Sequence, residues 1–558
     1  RIARVSCCGH TPDPFDTASS TASAVAMLPR WQPVAAPAAA AVIAAIHGSK
    51  VCGSARAGLR TAGSRAACQA STLQWRPTSC VPPRGGRSSS STRPSAAAVV
   101  QAVELPCADE GTLSVGDALE GLRRLLTAAE NSALSVEDVL AEPQAQSFLA
   151  SVGAACKSFS PQDVRQVLVA FARVQHMPLQ LWQQGLAEEV SRSLEELPDL
   201  HVVHVALLVA SLDLDEPLDL LQDLAEQLEI RAHTLSPTGM AGALVALSQL
   251  GPWPSSSTAG LSVAEELLQR LDELSPRELS ASALAAATLG IRAQTFWQRL
   301  HGALLARINE LEPKHIADAT LAVATNRLLP IFLLEAIQDR LPHVVGQMEP
   351  DEALTTVWAL ASLQIFPPKQ LPRLLEQILP ADVPASQLAF APAEARQLRQ
   401  VAMSLELEPS AAKASAEVSA SLRSRLRAAS ESARLVCEPP SGDEAVAEEV
   451  CATLMEVAPL TVFSVGEIVK GLYSVDLALT VPPSADVDSA AARRGVVLDA
   501  ASPEDAQAPR DPWVTLKLRH LSRLGWSIQW LPAQRWQTWD EEERIGFVRG
   551  LLPDTEQT

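Results

Sequence analysis

Between about residues 115 and 407 apolar positions recur at helical spacing, and the helices they mark begin in the same way each time. Proline stands at 161, 198, 237, 276, 313 and 350, at intervals of 37, 39, 39, 37 and 37, with a looser seventh unit at Pro392. Each opens a similar run, such as PQDVRQVLVAFARV, PTGMAGALVALSQL or PDEALTTVWALASL. Proline suits the first helical turn because the amide it lacks has no partner there, and Ser160, Ser236 and Ser275 directly before it are good N-caps. Small residues line the first helices (Ala170/Ala172, Ala243/Ala246, Ala359/Ala361) and allow close approach of neighbours. Second helices are expected over Leu181 to Leu197 and Ala264 to Leu274. A helix pair of this period buries its apolar face only against its neighbours, which predicts an α-solenoid.

The pattern changes near the C-terminus. Val514, Leu518, Leu521 and Leu524 share one helical face, Gly525 stops that helix, and Trp526 to Leu531 alternate at strand spacing before Pro532. A last helix starts near Thr538 or Asp540, with acids Asp540 to Glu543 at its dipole-favoured end and Ile545, Phe547 and Val548 as apolar residues. Short strands are expected at Tyr473 to Asp476 and at Val496 to Asp499. The predicted fold is therefore mainly α, a solenoid of helical hairpins followed by a small α/β unit. Its expected divisions are a leader over 1–103, the solenoid over 115–407, a helical linker over 408–450 broken at Pro439-Pro440, and the α/β unit over 460–552. Polar inserts from Pro482 to Arg494 and from Ala500 to Pro512 interrupt the last.

Composition supports the helical reading: Ala and Leu abound while aromatics make up 4%. No stretch is long and apolar enough to predict a bilayer-spanning helix. Charge is unevenly placed. Residues 1–103 hold eleven Lys/Arg and two acids, Asp13 and Asp16, whereas the remainder carries 34 bases against 62 acids, a net of −28. A basic, Ser-rich, acid-poor leader on an acidic body reads as an organellar targeting segment, with a disordered tail as the alternative. Taken as one basic tract it suits the mitochondrial matrix; begun at Met27, with the apolar run Pro33 to Ile46, it suits a two-part plastid address. Of nine cysteines, Cys7, Cys8, Cys52, Cys68 and Cys80 lie in the leader and Cys107, Cys156, Cys437 and Cys451 in the body. None forms a CxxC, so neither a zinc site nor a disulfide framework is expected, and no cofactor is implied.

Leu516-Lys517 with Arg519, His520 and Leu521, then Gly525-Trp526, a strand closed by Pro532, Trp536, and an acidic helix with Phe547 together resemble the C-terminal half of the RAP domain. Tyr473-Ser474-Val475-Asp476 and Val496-Val497-Leu498-Asp499 resemble its first two strands, and Glu417-Val418 with Leu422 the short helix that leads into it. With the repeat period, this resembles the heptatricopeptide and octotricopeptide repeat families and the FAST kinase family, whose architecture implies organellar RNA binding in RNA processing, stability or translation. Lys517, Arg519, His520 and Arg523 cluster among aromatics that could stack on bases if exposed and are the expected RNA contacts of this region, the alternative being aromatics as the domain core and the bases as a solvated face. Polar positions near the starts of the first helices (Arg165, Gln166, Lys314, Asp318, Thr355 and Arg396) are the expected readers of the solenoid, or else its solvated face. Arg423, Arg425 and Arg427 read as a solvated helix face.

RAP domains also resemble the PD-(D/E)xK nuclease fold, which would put Asp476, Asp499 and Lys517 at three of its catalytic positions. The family's next acid is replaced here, in the run Ala501-Ser502-Pro503, which leaves the carboxylate set incomplete. There is no Gly-rich phosphate loop followed by Lys and no HRD or DFG sequence, so kinase motifs are missing from the sequence. The alternative to an RNA factor is a structural scaffold or component of an organellar ribosome, its acidic solenoid meeting ribosomal proteins. A basic concave stripe favours the first and a uniformly acidic one the second.

Overall fold

A computed structural model describes residues 95–552 apart from 107–112, 133, 213–217, 252–253, 327–329, 385–386, 389, 433–443, 459–462, 481–492 and 500–510. The leader up to residue 94, the break at Pro439-Pro440 and most of the two polar inserts lie outside the described residues. The chain is mainly helical, with helical repeats followed by an α/β unit.

The first helices of the units are Pro161–Val174, Asp199–Ser211, Pro237–Leu250, Pro276–Thr288, Pro313–Asn326, Pro350–Ser362 and Pro392–Leu407. Each packs directly on the next, and Val115–Asn131 extends the row at its start. The expected caps are present. Ser160 and Ser275 form reciprocal boxes with Asp163 and Glu278, and Ser236 accepts the amide of Gly239 at 3.1 Å. Val202 to Val209 are all buried, as befits a helix flanked by two neighbours of its own row and covered by a second layer.

That second layer consists of Leu218–Ile230, Pro254–Leu268, Gln294–Ala306, Ile331–Val344 and Leu371–Ile378, the first four packed in order and the last joined through the turn Val345–Gln347. Pro254–Leu268 begins well before the expected Ala264, because Pro254 is a second N-terminal proline inside the same unit. The expected helix from Leu181 is broken up. Leu179–Leu181 passes into a π-turn, Trp182–Leu186, where Gly185 takes φ 141°, and only then into Ala187–Ser193.

A periodic arginine that the sequence reading missed fastens the units together. Arg231 donates to the carbonyls of Leu194 at 2.9 Å and of Leu197, Arg270 to that of Leu235 at 3.2 Å, and Arg307 to that of Leu274. Each reaches from the end of one second helix to carbonyls left open where the previous unit's second helix ends.

The solenoid runs past its expected end. Ala412–Glu417 and Ala420–Ser432 pack on the Pro392 helix, and Val418 and Leu422 sit in the solenoid core rather than leading into the α/β unit. Glu444–Val457, by contrast, belongs to that unit, where it packs against Glu541–Leu551.

The α/β unit is a four-stranded sheet in the order β1-β2-β3-β4: Phe463–Val469, Tyr473–Thr480, Arg493–Asp499 and Trp526–Pro532. The first three are antiparallel; β4 runs parallel to β3 and is reached through the helix Pro512–Arg523. The expected strands are all there, and β1 is additional. One sheet face holds Leu477, Leu479, Val496, Leu498 and Leu531 against Trp536, Val548 and the Glu444–Val457 helix. The other holds Tyr473, Val475, Val497 and Trp526 against Leu521 and against Met403 of the solenoid.

Candidate functional site

The helix Pro512–Arg523 lies on the Pro350 and Pro392 helices and so has two covered sides, sheet and solenoid. This relocates three of the expected RNA contacts. Lys517 is 2% exposed and His520 0%, and Arg519 is turned into the seam. Arg519 donates to the carbonyls of Ser362 and Ala361, at 2.9 and 2.6 Å, where the Pro350 helix ends, and pairs with Glu408 just beyond the Pro392 helix. His520 bridges the Tyr473 hydroxyl at 2.7 Å and the Ser404 hydroxyl at 2.9 Å. Burial, and then the Arg519 charge, push its pKa down to about 3, so the imidazole is neutral, one nitrogen donating and the other accepting. Gln400 completes the seam, accepting from the Trp358 indole at 2.6 Å and donating to the Trp513 carbonyl at 3.1 Å.

In this arrangement Arg519 and His520 serve the joint, and Lys517 is buried on the same helix. The apolar stripe was legible, but of the polar residues beside it Arg519 faces helix-end carbonyls and His520 two hydroxyls instead of water. Arg523, in the last turn of the same helix, is exposed. Of the basic trio upstream, Arg425 is also tied down, donating to the carbonyls of Pro380 and of Val383, the latter at 2.7 Å, while Arg423 and Arg427 remain on the surface.

The nuclease positions are placed as follows. Asp476 is 5% exposed and accepts the amide of Leu498 at 2.8 Å, just past the last β2–β3 pair, Leu477 with Val496. Side-chain alternation along β2 slips there, since Val475 faces the solenoid side and Leu477 the other, and Gly466 at φ 68° stands opposite. Asp499 ends β3 in register with Pro532. Among the described residues no group of three or more His, Cys, Asp or Glu is arranged to hold a metal ion. Nor is any helix among them long and apolar enough to cross a membrane.

The first-helix layer keeps the other expected residues nearer the surface. Arg165 donates to Nδ1 of His204 on the neighbouring helix at 3.0 Å, Gln166 is exposed, and Thr355 is half-buried. The Arg396 guanidinium stacks over Trp513, 5.7 Å from the ring centroid, at the edge of the seam. Lys314 and Asp318 are half-buried one turn apart, and burial pushes the Asp318 carboxyl up to about 6. Arg277, which the sequence reading did not single out, stands on the helix before Lys314 at the matching position. Each directly follows its helix-opening proline, Pro276 or Pro313.

Charge is sorted between the layers. The consecutive second-layer helices Ala187–Ser193, Leu218–Ile230 and Pro254–Leu268 hold eight carboxylates against one guanidinium, Arg192. The first helices of the same units hold Asp163 and Asp199 against Arg165 and Arg173, with His201 and His204 besides.

No protein-family model matches the chain, and no curated protein is significantly similar to it.

Proposed function

We propose that the protein is an organellar RNA-binding factor, acting in RNA processing, stability or translation through the first-helix layer of its solenoid. The observation that carries this reading is the sorting of charge. In the first three proline-opened units the acid excess sits on the second layer and leaves the first helices, with Arg165 among them, near balance; Arg277, Lys314 and Arg396 stand on the first helices of later units. A polyanion needs such a relieved face, because phosphate contacts supply most non-specific affinity. The resemblance of the C-terminal segment to RAP domains, and the basic leader with its mitochondrial or, alternatively, plastid character, support the same assignment.

The second reading, a protein-binding scaffold of an organellar ribosome, draws on the other layer. Its acidic helices are a surface for basic proteins. On the same layer Ile331 and Phe332 are 65% and 76% exposed, beside an apolar groove of about 410 Å³ lined by Trp297, His301 and Leu305.

Crosslinking and immunoprecipitation of the tagged protein from isolated organelles, with sequencing of bound RNA, separates the two. Discrete transcript footprints support the RNA factor. Footprints confined to ribosomal RNA, with co-purifying ribosomal proteins, support the scaffold, and an absence of crosslinked RNA would sink the first reading.

A further inference from the structure

We infer that Arg277 and Lys314 together form a phosphate-binding site on the first-helix layer, filled by a backbone phosphate of single-stranded RNA. The inference rests on the RNA-binding reading and adds to it a place and a chemistry.

Arg277 and Lys314 occupy the same position in consecutive units, one residue past Pro276 and Pro313, on helices packed side by side. Both are half-buried. Neither makes an ion pair among the described residues, and Nη2 of Arg277 is buried without a hydrogen-bond partner. Several other solenoid arginines that leave water are answered, Arg231, Arg270 and Arg307 by helix-end carbonyls and Arg165 by His204, whereas Arg340, on the second layer, also buries an Nε without a partner. Here two cations are withdrawn from solvent with nothing of opposite charge in contact. Burial holds Arg277 below its ordinary value, and burial and the Arg277 charge lower Lys314, against the opposing pull of Asp318, Glu352 and Asp351. Two partly desolvated like charges are costly until an anion joins them, and a guanidinium beside an ammonium offers a phosphate both a planar fork and a point charge.

The carboxylates facing the pair are Glu278, Glu312, Asp318, Asp351 and Glu352. Glu278 accepts from the Ser275 amide and hydroxyl, each at 2.7 Å, and Glu352 from the Glu349 amide at 3.0 Å, so these two are folded back on the starts of their own helices. Glu312 and Asp351 are exposed, where water screens them. Asp318 is half-buried, and burial raises its pKa to about 6.

The test uses the full chain and a labelled single-stranded RNA of mixed sequence, with affinity measured by fluorescence anisotropy over a salt series. Arg277→Gln and Lys314→Gln should each weaken binding about 3- to 10-fold and flatten the salt dependence by roughly 0.7 per lost contact. Lys314→Arg should retain the slope, and Arg299→Gln, on an exposed second-layer position, should leave it unchanged. Thermal unfolding of each variant controls for folding. RNA binding by the wild type with both Gln variants unaltered overturns the site and leaves the RNA reading standing. Failure of the wild type to bind overturns the RNA assignment itself. In that case a rise in melting temperature with pyrophosphate, present in the wild type and lost in Arg277→Gln, would keep the site and reassign it to a small phosphate compound.

Discussion

Replacing Arg519 by Ala would strand the Glu408 carboxylate, whose side chain is 1% exposed, without its counter-ion and would remove the guanidinium donors from the carbonyls of Ser362 and Ala361. Breaking a buried pair on one side costs about 3 kcal/mol, and Glu408→Gln in the same chain should recover part of it; urea unfolding followed by tryptophan fluorescence measures both. The neighbouring His520 gives the seam a pH dependence. Its folded-state pKa of about 3 lies below the ordinary 6.5, so its contribution is complete above pH 6.5 and is lost as pH falls toward 3. Amide protection factors in the Pro512–Arg523 helix, exchange rates corrected for the intrinsic pH dependence, should therefore fall on acidification, and less so in a His520→Asn chain. Asp318 behaves in the opposite sense. Its pKa is raised to about 6, so stability present below about pH 4 is lost as pH rises through 6, and Asp318→Asn should gain about 1–2 kcal/mol at pH 7 in a melting series, discounted for the solvent that still reaches the group. Side-chain identity alone told little of this. Arg519 and His520 are polar on a helix with a clear apolar stripe, and the second covered side, invisible to one helix's periodicity, gives them their solenoid partners.

The elements were more readable, because each unit carries its own start signal. Proline at the first turn and a Ser before it are local chemistry, and they are where the sequence reading and the structure agree most closely. Ser275→Ala should cost about 1 kcal/mol through the lost cap, and Arg270→Gln a similar amount through the loosened link to the preceding unit; thermal unfolding checks each. Two features escaped. The inter-unit arginines recur at 39 and 37 residues, Arg231 to Arg270 to Arg307, a period in plain view but attached to no expected element. Strand β1 lacks the alternation that announces a strand, since Val465 and Ile468, at 60% and 53% exposed, are apolar residues on open surface. The sheet interior is tighter: a Cβ on Gly495 would lie 2.6 Å from Val475 Cγ1 and 3.1 Å from the Leu477 carbonyl oxygen, so Gly495→Ala should lower the melting temperature.

At the scale of the whole molecule the expected architecture is present, while its divisions shift: the helices up to Ser432 side with the solenoid and those from Glu444 with the sheet. The linker looked separate because its composition is Ala-, Ser- and Glu-rich, and composition does not say which neighbour a helix packs on. The layer proposed to face RNA was legible in part. Lys314 and Arg396 lie on the first-helix layer as expected, but the pairing of Lys314 with Arg277 depends on two helices lying side by side. The seam also bears on how the protein can be handled. A chain cut after Ser432 would bare Gln400, Met403 and Ser404 to water, and the α/β unit made alone would present Leu516, Arg519 and His520 with no solenoid to receive them. Neither half is a freestanding module, so fragments should precipitate or self-associate where the intact chain stays monodisperse, and a swap of C-terminal units between proteins of this architecture must carry the matching end of the solenoid with it.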